Sequence, residues 1–147
     1  FYFIIIRKNN IKRVVFKNIK KLGLGIVAFE GTEHIYNIVK ELEGIIDYTV
    51  IALQTISYHG DNIDNTDIEH LALLNDNIIN SIEYIDTNFD TPARVQETEK
   101  RNKLIKILAS NGCSHALIID SDEFYSRTSF INAMKEIDNN DYDITYC

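Results

Sequence analysis

From residue 22 onward, short apolar runs alternate with segments whose apolar residues recur every three or four positions. Residues 24–29, 48–55 and 113–119 have the mainly apolar character of strands in a buried sheet, and 81–85 reads as a shorter strand. Between them lie helix-period segments. Ile35, Ile38, Val39 and Leu42 share one face of a helix over 33–43, with Thr32 as its cap and Gly44 as its stop. Thr66-Asp67-Ile68-Glu69 matches a capping box ahead of Leu71, Ala72, Ile78 and Ile79. Thr91-Pro92 predicts a helix that carries Val95, Leu104, Ile105, Leu108 and Ala109 and stops at Asn111-Gly112. Thr128 would cap a last helix over 129–137, and 142–146 would begin another strand. Strands alternating with helices imply right-handed crossovers, so the expected fold is α/β: a doubly wound, mostly parallel sheet over residues 22–147.

Residues 1–21 follow a different rhythm. Two β-type runs, 2–6 and 13–16, flank Lys8-Asn9-Asn10, whose asparagines tolerate turn conformations, so an N-terminal β-type arm or hairpin is expected. Charge sets this arm apart. The chain carries 15 lysines and arginines against 22 aspartates and glutamates, a net charge of −7. Seven of the basic residues (Arg7, Lys8, Lys12, Arg13, Lys17, Lys20 and Lys21) precede Glu30, the first acid, which leaves eight against 22 in the remainder. A basic arm on an acidic body would dock a partner or an anionic surface, or simply be a solvated edge protected by lysines. It carries no recognisable nucleic-acid module.

Composition narrows the classes. With 45% hydrophobic and 25% charged residues the chain is ordinary for a globular domain, which excludes disorder as the default. No apolar run approaches the roughly 18–20 residues that span a bilayer, so no transmembrane segment is expected. The apolar hexad 1–6 has its basic flank after it rather than before it, the wrong order for a signal peptide. Only Cys113 and Cys147 are present, so a disulfide framework is not expected. A reducing compartment follows: the cytoplasm, or a viral or phage assembly.

The candidate chemistry lies in Asp120-Ser121-Asp122-Glu123, directly after the run Ala116-Leu117-Ile118-Ile119. A strand that delivers carboxylates to its carboxyl end does so where open α/β sheets bind ligands. If the chain turns there, Asp120 and Asp122 can converge on one hard cation and the phosphates it carries. Three other motifs carry less. Gly23-Leu24-Gly25-Ile26-Val27-Ala28 fits the dinucleotide pattern G-x-G-x-x-A, but these glycines precede the strand instead of linking it to a helix. The Asp-rich loop 61–67 lacks the spacing, central glycine and closing glutamate of a calcium loop. Asp120-Ser121-Asp122 is similar to the D-x-D-x-T/V nucleophile loop of haloacid dehalogenase-type phosphatases. Phe124 stands where that pattern has Thr or Val, and the motif lies on a late strand rather than the first.

More of the chain is accounted for by another family. Lys100-Arg101-Asn102-Lys103-Leu104-Ile105, then Gly112, then Leu117-Ile118-Ile119-Asp120-Ser121-Asp122-Glu123-Phe124 closely resembles family 2-like glycosyltransferases of the GT-A fold. In that family an Arg-Asn helix leads to a strand that ends in D-x-D, with D-x-D-E-F as one variant. Ile26-Val27-Ala28-Phe29-Glu30-Gly31 looks like the family's first nucleotide-binding strand and turn. Ser57-Tyr58-His59-Gly60-Asp61 occupies the place of its second loop but departs from that loop's pattern.

The resemblance implies a GT-A, nucleotide-diphospho-sugar transferase-like fold and a metal-dependent hexosyltransferase. Its donor would be a nucleoside-diphosphate sugar, with a UDP-sugar favoured, and its acceptor is unidentified. Asp122 would ligate Mn²⁺ or Mg²⁺, and Asp120 would contact ribose or sugar or reach the metal through water. Ala28, Phe29, Glu30 and Ser121 would line the nucleotide-sugar pocket, and Arg101 would offset phosphate charge. Arg101 is also four residues after Glu97, so an ordinary helix-surface pair is the simpler reading of it. The resemblance covers residues 22–147 and places the catalytic base beyond Cys147, as in the N-terminal, nucleotide-binding part of a longer enzyme. The alternative is a non-catalytic GT-A-like binding or structural module in a larger assembly.

Overall fold

A computed structural model of the chain describes residues 7–8, 11–74, 78–140 and 142. Among the described residues the arm starts as a short antiparallel ladder, β1 (Arg7–Lys8) against β2 (Ile11–Lys12); the turn expected at Asn9-Asn10 lies outside the described residues. The expected run at 2–6 lies outside the described residues. The run at 13–16 forms no strand; instead the Val14 amide donates to the Gly44 carbonyl at 2.8 Å. Residues 13–21 are laid against the body. Ile19 is buried, and Arg13 forms an ion pair with Asp47.

The body is a four-stranded parallel sheet in the order β5-β4-β3-β6, made of β3 (Leu22–Ala28), β4 (Tyr48–Gln54), β5 (Ser81–Ile85) and β6 (His115–Asp120). Every residue of β3 is buried, as expected of a central strand covered on both faces. Its even-numbered residues, Leu24 and Ile26, join Ile51, Leu53 and Ile119 on one face. That face is covered by α1 (Ile35–Glu41), α2 (Asn65–Leu74) and α4 (Arg127–Asn140), through Ile35, Ile38, Leu71, Phe130 and Met134. The opposite face packs Val27, Val50 and Ala52 against Leu104 and Leu108 of α3 (Ala93–Ser110). Thus α1 and α2 follow the chain outward from β3 to β5, and α3 returns it on the other face to β6. This is the doubly wound, α/β arrangement that right-handed crossovers require.

Gly23 and Gly25 explain the dinucleotide-like pattern. A Cβ on Gly23 would lie 2.7 Å from Leu108 Cδ2, and one on Gly25 would lie 2.7 Å from Ile118 Cδ1 and 3.2 Å from Leu104 Cβ. These glycines let α3 sit close on the sheet.

The helix starts differ from expectation in their detail. Thr32 opens a 3₁₀ turn (Thr32–His34) ahead of α1 and caps nothing; its amide donates to Asp67 Oδ1 at 3.2 Å, and its hydroxyl bonds the same oxygen. With Asp67 spent there, α2 is capped by Asp64, which accepts the Thr66 amide at 2.8 Å. Pro92 occupies the cap position of α3 rather than its first helical turn. Ser126, not Thr128, caps α4, accepting the Ser129 amide at 3.3 Å. Of the expected strand at 142–146, Tyr142 lies in no strand and the rest falls outside the described residues.

Candidate functional site

β3 and β6 are neighbours in the sheet, but the chain leaves β3 toward β4 and reaches β6 from β5. The strand order therefore reverses between β3 and β6, although α1 and α4, which follow the two strands, cover the same face. Open α/β sheets bind ligands in the crevice outside the carboxyl ends at such a reversal. Register fixes what stands there. Val27 pairs with Asp120, so the acidic turn begins level with the end of β3.

Two bonds latch the strand ends together. The Ser121 amide donates to the Val27 carbonyl at 3.0 Å, and its buried hydroxyl donates to the Glu30 carbonyl at 2.7 Å. Gly31, with φ of 74°, makes room for this latch, since a Cβ there would stand 3.3 Å from Ser121 Oγ. The acidic segment is a closed turn, in which the Glu123 amide donates to the Asp120 carbonyl at 3.1 Å. Glu123 Oε2 in return accepts the Asp120 amide at 2.9 Å, so this carboxylate is occupied in holding the turn.

Asp120 shares its sheet face with Ile118, the face covered by α3, which brings its side chain to Arg101. Arg101 Nη2 stands 2.6 Å from Asp120 Oδ1, while its Nε lies 3.2 Å from Glu97 Oε1. The simple helix pair and the site contact are thus both present on one guanidinium. Burial pushes the Asp120 carboxyl above the ordinary carboxylate value; Arg101 opposes this, while Glu123 and Glu97 add to it. Asp122 is exposed, and its carboxylate makes no hydrogen bond or ion pair among the described residues.

The other expected positions divide. Ala28 is in the core, so only its backbone is available to a ligand. Phe29 packs partly against that core, and Glu30 is exposed just beyond the end of β3. Phe124, 57% exposed, is held edge-on by the His34 ring, with centroids 5.4 Å apart.

Sequence reasoning missed the polar chain behind Arg101. Lys100 is 5% exposed on α3, and its ammonium donates to Gln54 Oε1 at 2.9 Å and pairs with Glu97 Oε2 at 2.7 Å. It also stands 5.2 Å from the centre of the Tyr58 ring, whose hydroxyl donates to Glu97 at 3.3 Å. Gln54 Nε2 continues the chain to the Ile56 carbonyl at 2.6 Å and Thr87 Oγ1 at 2.8 Å. The only sequence signal was the pair of spacings from Glu97, three to Lys100 and four to Arg101, which is common on solvated helices. Burial opposes ionisation of Glu97, but the Lys100 bond and charge, then Arg101 and Tyr58, outweigh it and hold the group below the ordinary carboxylate value.

Among the described residues no group of three or more His, Cys, Asp and Glu side chains is gathered to hold a metal ion. The donors at the turn are one free carboxylate, Asp122, and one shared with Arg101, Asp120. Such hard oxygen donors fit a cation that completes its shell with ligand phosphates, and not a cage built from protein alone. Two cavities, of about 250 Å³ each, open near the amino ends of the strands, one lined by Arg13, Phe16 and Asp47 and the other by Lys40, Tyr48 and Asn80. Both lie away from the turn. No helix among the described residues is long and apolar enough to cross a membrane.

Fold and site together define the class: an α/β protein with an all-parallel four-stranded sheet and an acidic turn at the carboxyl end of β6. Comparison of the chain with protein-family models, curated proteins and solved structures finds no match.

Proposed function

We propose that the chain is the nucleotide-sugar-binding part of a metal-dependent, GT-A-like glycosyltransferase that takes a hexose from a nucleoside-diphosphate donor, with a UDP-sugar favoured. The observation that carries the reading is the meeting of the Asp120–Asp122 turn with Arg101 beside the adjacent ends of β3 and β6. In this reading Asp122 supplies its free carboxylate to Mn²⁺ or Mg²⁺. The cation, when bound, would neutralise the pyrophosphate and the departing nucleoside diphosphate. Arg101 brings a second, permanent positive charge toward the phosphates. Asp120 faces ribose or sugar, Ser121 keeps the two strand ends in register, and Phe29 and Glu30 flank the nucleoside. The acceptor and the base that would activate it are unidentified. The basic arm would dock a partner or an anionic surface.

The test is thermal unfolding with UDP and Mn²⁺ together. The unmutated chain should melt higher with both than with either alone, and Asp122→Ala should remove the increment while leaving the ligand-free melting temperature unchanged. A chain whose melting ignores UDP and Mn²⁺ altogether would instead be a GT-A-like module without donor chemistry.

A further inference from the structure

The Lys100–Glu97 pair is unusual for what it sits behind. An ammonium only 5% exposed would be costly unless fully partnered, and here it has Gln54, Glu97 and the Tyr58 ring. Those contacts tie α3 to the end of β4, and through Gln54 to Thr87 just beyond β5. They also leave Glu97 little freedom: Oε2 is taken by Lys100 and Tyr58, so only Oε1 remains for Arg101. The fixed carboxylate in turn fixes the guanidinium at its Nε, and Nη2 reaches Asp120 from there. An arginine held only by Asp120 would be free to leave whenever that carboxylate took another partner.

We propose that Glu97 is a positioning residue for the acidic turn: anchored by Lys100 and Tyr58, it retains the Arg101 guanidinium at the crevice when a phosphate ligand and its cation engage Asp120. The proposal rests on the reading of the turn as a donor-and-metal site. Its chain of cause runs Gln54–Lys100–Glu97–Arg101, so the loop after β4 that carries Tyr58 and the turn after β6 are coupled through one side chain.

The experiment uses Glu97→Gln, which keeps the shape of a half-exposed side chain while weakening its hold on Arg101. In ligand-free protein, the Arg101 Nε–H resonance should be dispersed and slow to exchange with water, and in E97Q it should move to the averaged position of free arginines. By titration with UDP and Mn²⁺, E97Q should bind about tenfold more weakly, as expected for loss of one charge-assisted contact. In an Arg101→Gln background the same E97Q change should then add nothing, because its effect passes through Arg101. An unmoved Arg101 resonance, or full additivity in the double variant, overturns the proposal while leaving the site reading intact. Failure of the unmutated chain to bind UDP and Mn²⁺ removes the site reading, and the proposal with it. Glu97→Asp, which keeps the charge, should recover part of the affinity if the positioning account is right.

Discussion

Gly25 shows how little tolerance the site's foundation has. Its α-carbon faces α3, and a methyl group there would meet Ile118 Cδ1 at 2.7 Å and Leu104 Cβ at 3.2 Å. The first contact is with the far end of a side chain that can swing away. The second is with the stem of a helix residue that cannot move unless α3 lifts. Gly25→Ala should therefore destabilise the fold by about 1–3 kcal/mol, the usual range for overpacking. In urea unfolding the midpoint should fall with the slope unchanged. Because α3 carries Arg101, the same variant should also loosen the Arg101–Asp120 contact. A neutral result would mean that the helix is not seated on the glycines.

At the scale of elements, α4 and the arm are held together by one carboxylate. Asp138, buried near the end of α4, accepts the backbone amides of Lys17 at 2.7 Å, Asn18 at 2.6 Å and Ile19 at 2.8 Å. Burial opposes its ionisation, but these three amides, with a smaller contribution from His115, outweigh that and hold it below the ordinary value of 3.8. A carboxyl depressed in the folded state contributes stability that is fully present above that ordinary value and is lost as the pH falls through the depressed one. Unfolding free energies measured across acid pH should therefore decline for the unmutated chain, and the decline should be shallower in Asp138→Ala. At neutral pH the same variant should cost about 1–3 kcal/mol for amides left without an acceptor. A parallel pH profile would exclude the arm latch. Nothing in the sequence announced it, since Asp138 and residues 17–19 are about 120 positions apart.

The elements themselves were far more legible than their caps. The apolar runs located the central strands because a parallel strand buried on both faces needs a nearly uninterrupted apolar sequence, as Leu24–Ala28 and Val50–Leu53 have. The edge strand β5 carries Ser81 and Glu83 and gave a weaker signal. The caps went wrong where a short polar side chain had two possible partners. Thr32, Thr66 and Thr128 all read as cap residues, but tertiary structure gave Asp67 to Thr32 and left Asp64 and Ser126 to cap. In the candidate site, the turn was visible because carboxylates directly follow an apolar strand run, and Arg101 because its Lys100-Arg101-Asn102 helix resembles the glycosyltransferase pattern. Lys100 was not, because a buried lysine in sequence looks like any helix-surface lysine.

For the molecule as a whole, the central strands carry both the core and the crevice. β3 and β4 are covered on both faces, whereas β5 is an edge with Tyr84 61% exposed. Amides of β3 and β4 should thus exchange with solvent only through global unfolding, and those of β5 through smaller, cheaper openings. A ligand that binds only the folded protein raises the free energy of every globally exchanging amide equally, by about 2.7 kcal/mol at one hundred times its dissociation constant. Saturating UDP and Mn²⁺ should accordingly slow β3 and β4 amides by the same factor, including Leu22 and Tyr48 at the strand ends remote from the turn. Slowing confined to residues 120–123 would indicate that the sheet opens without releasing the ligand. In that case the crevice and the core would be separate cooperative units, and the latch between Ser121 and Glu30 would not couple them.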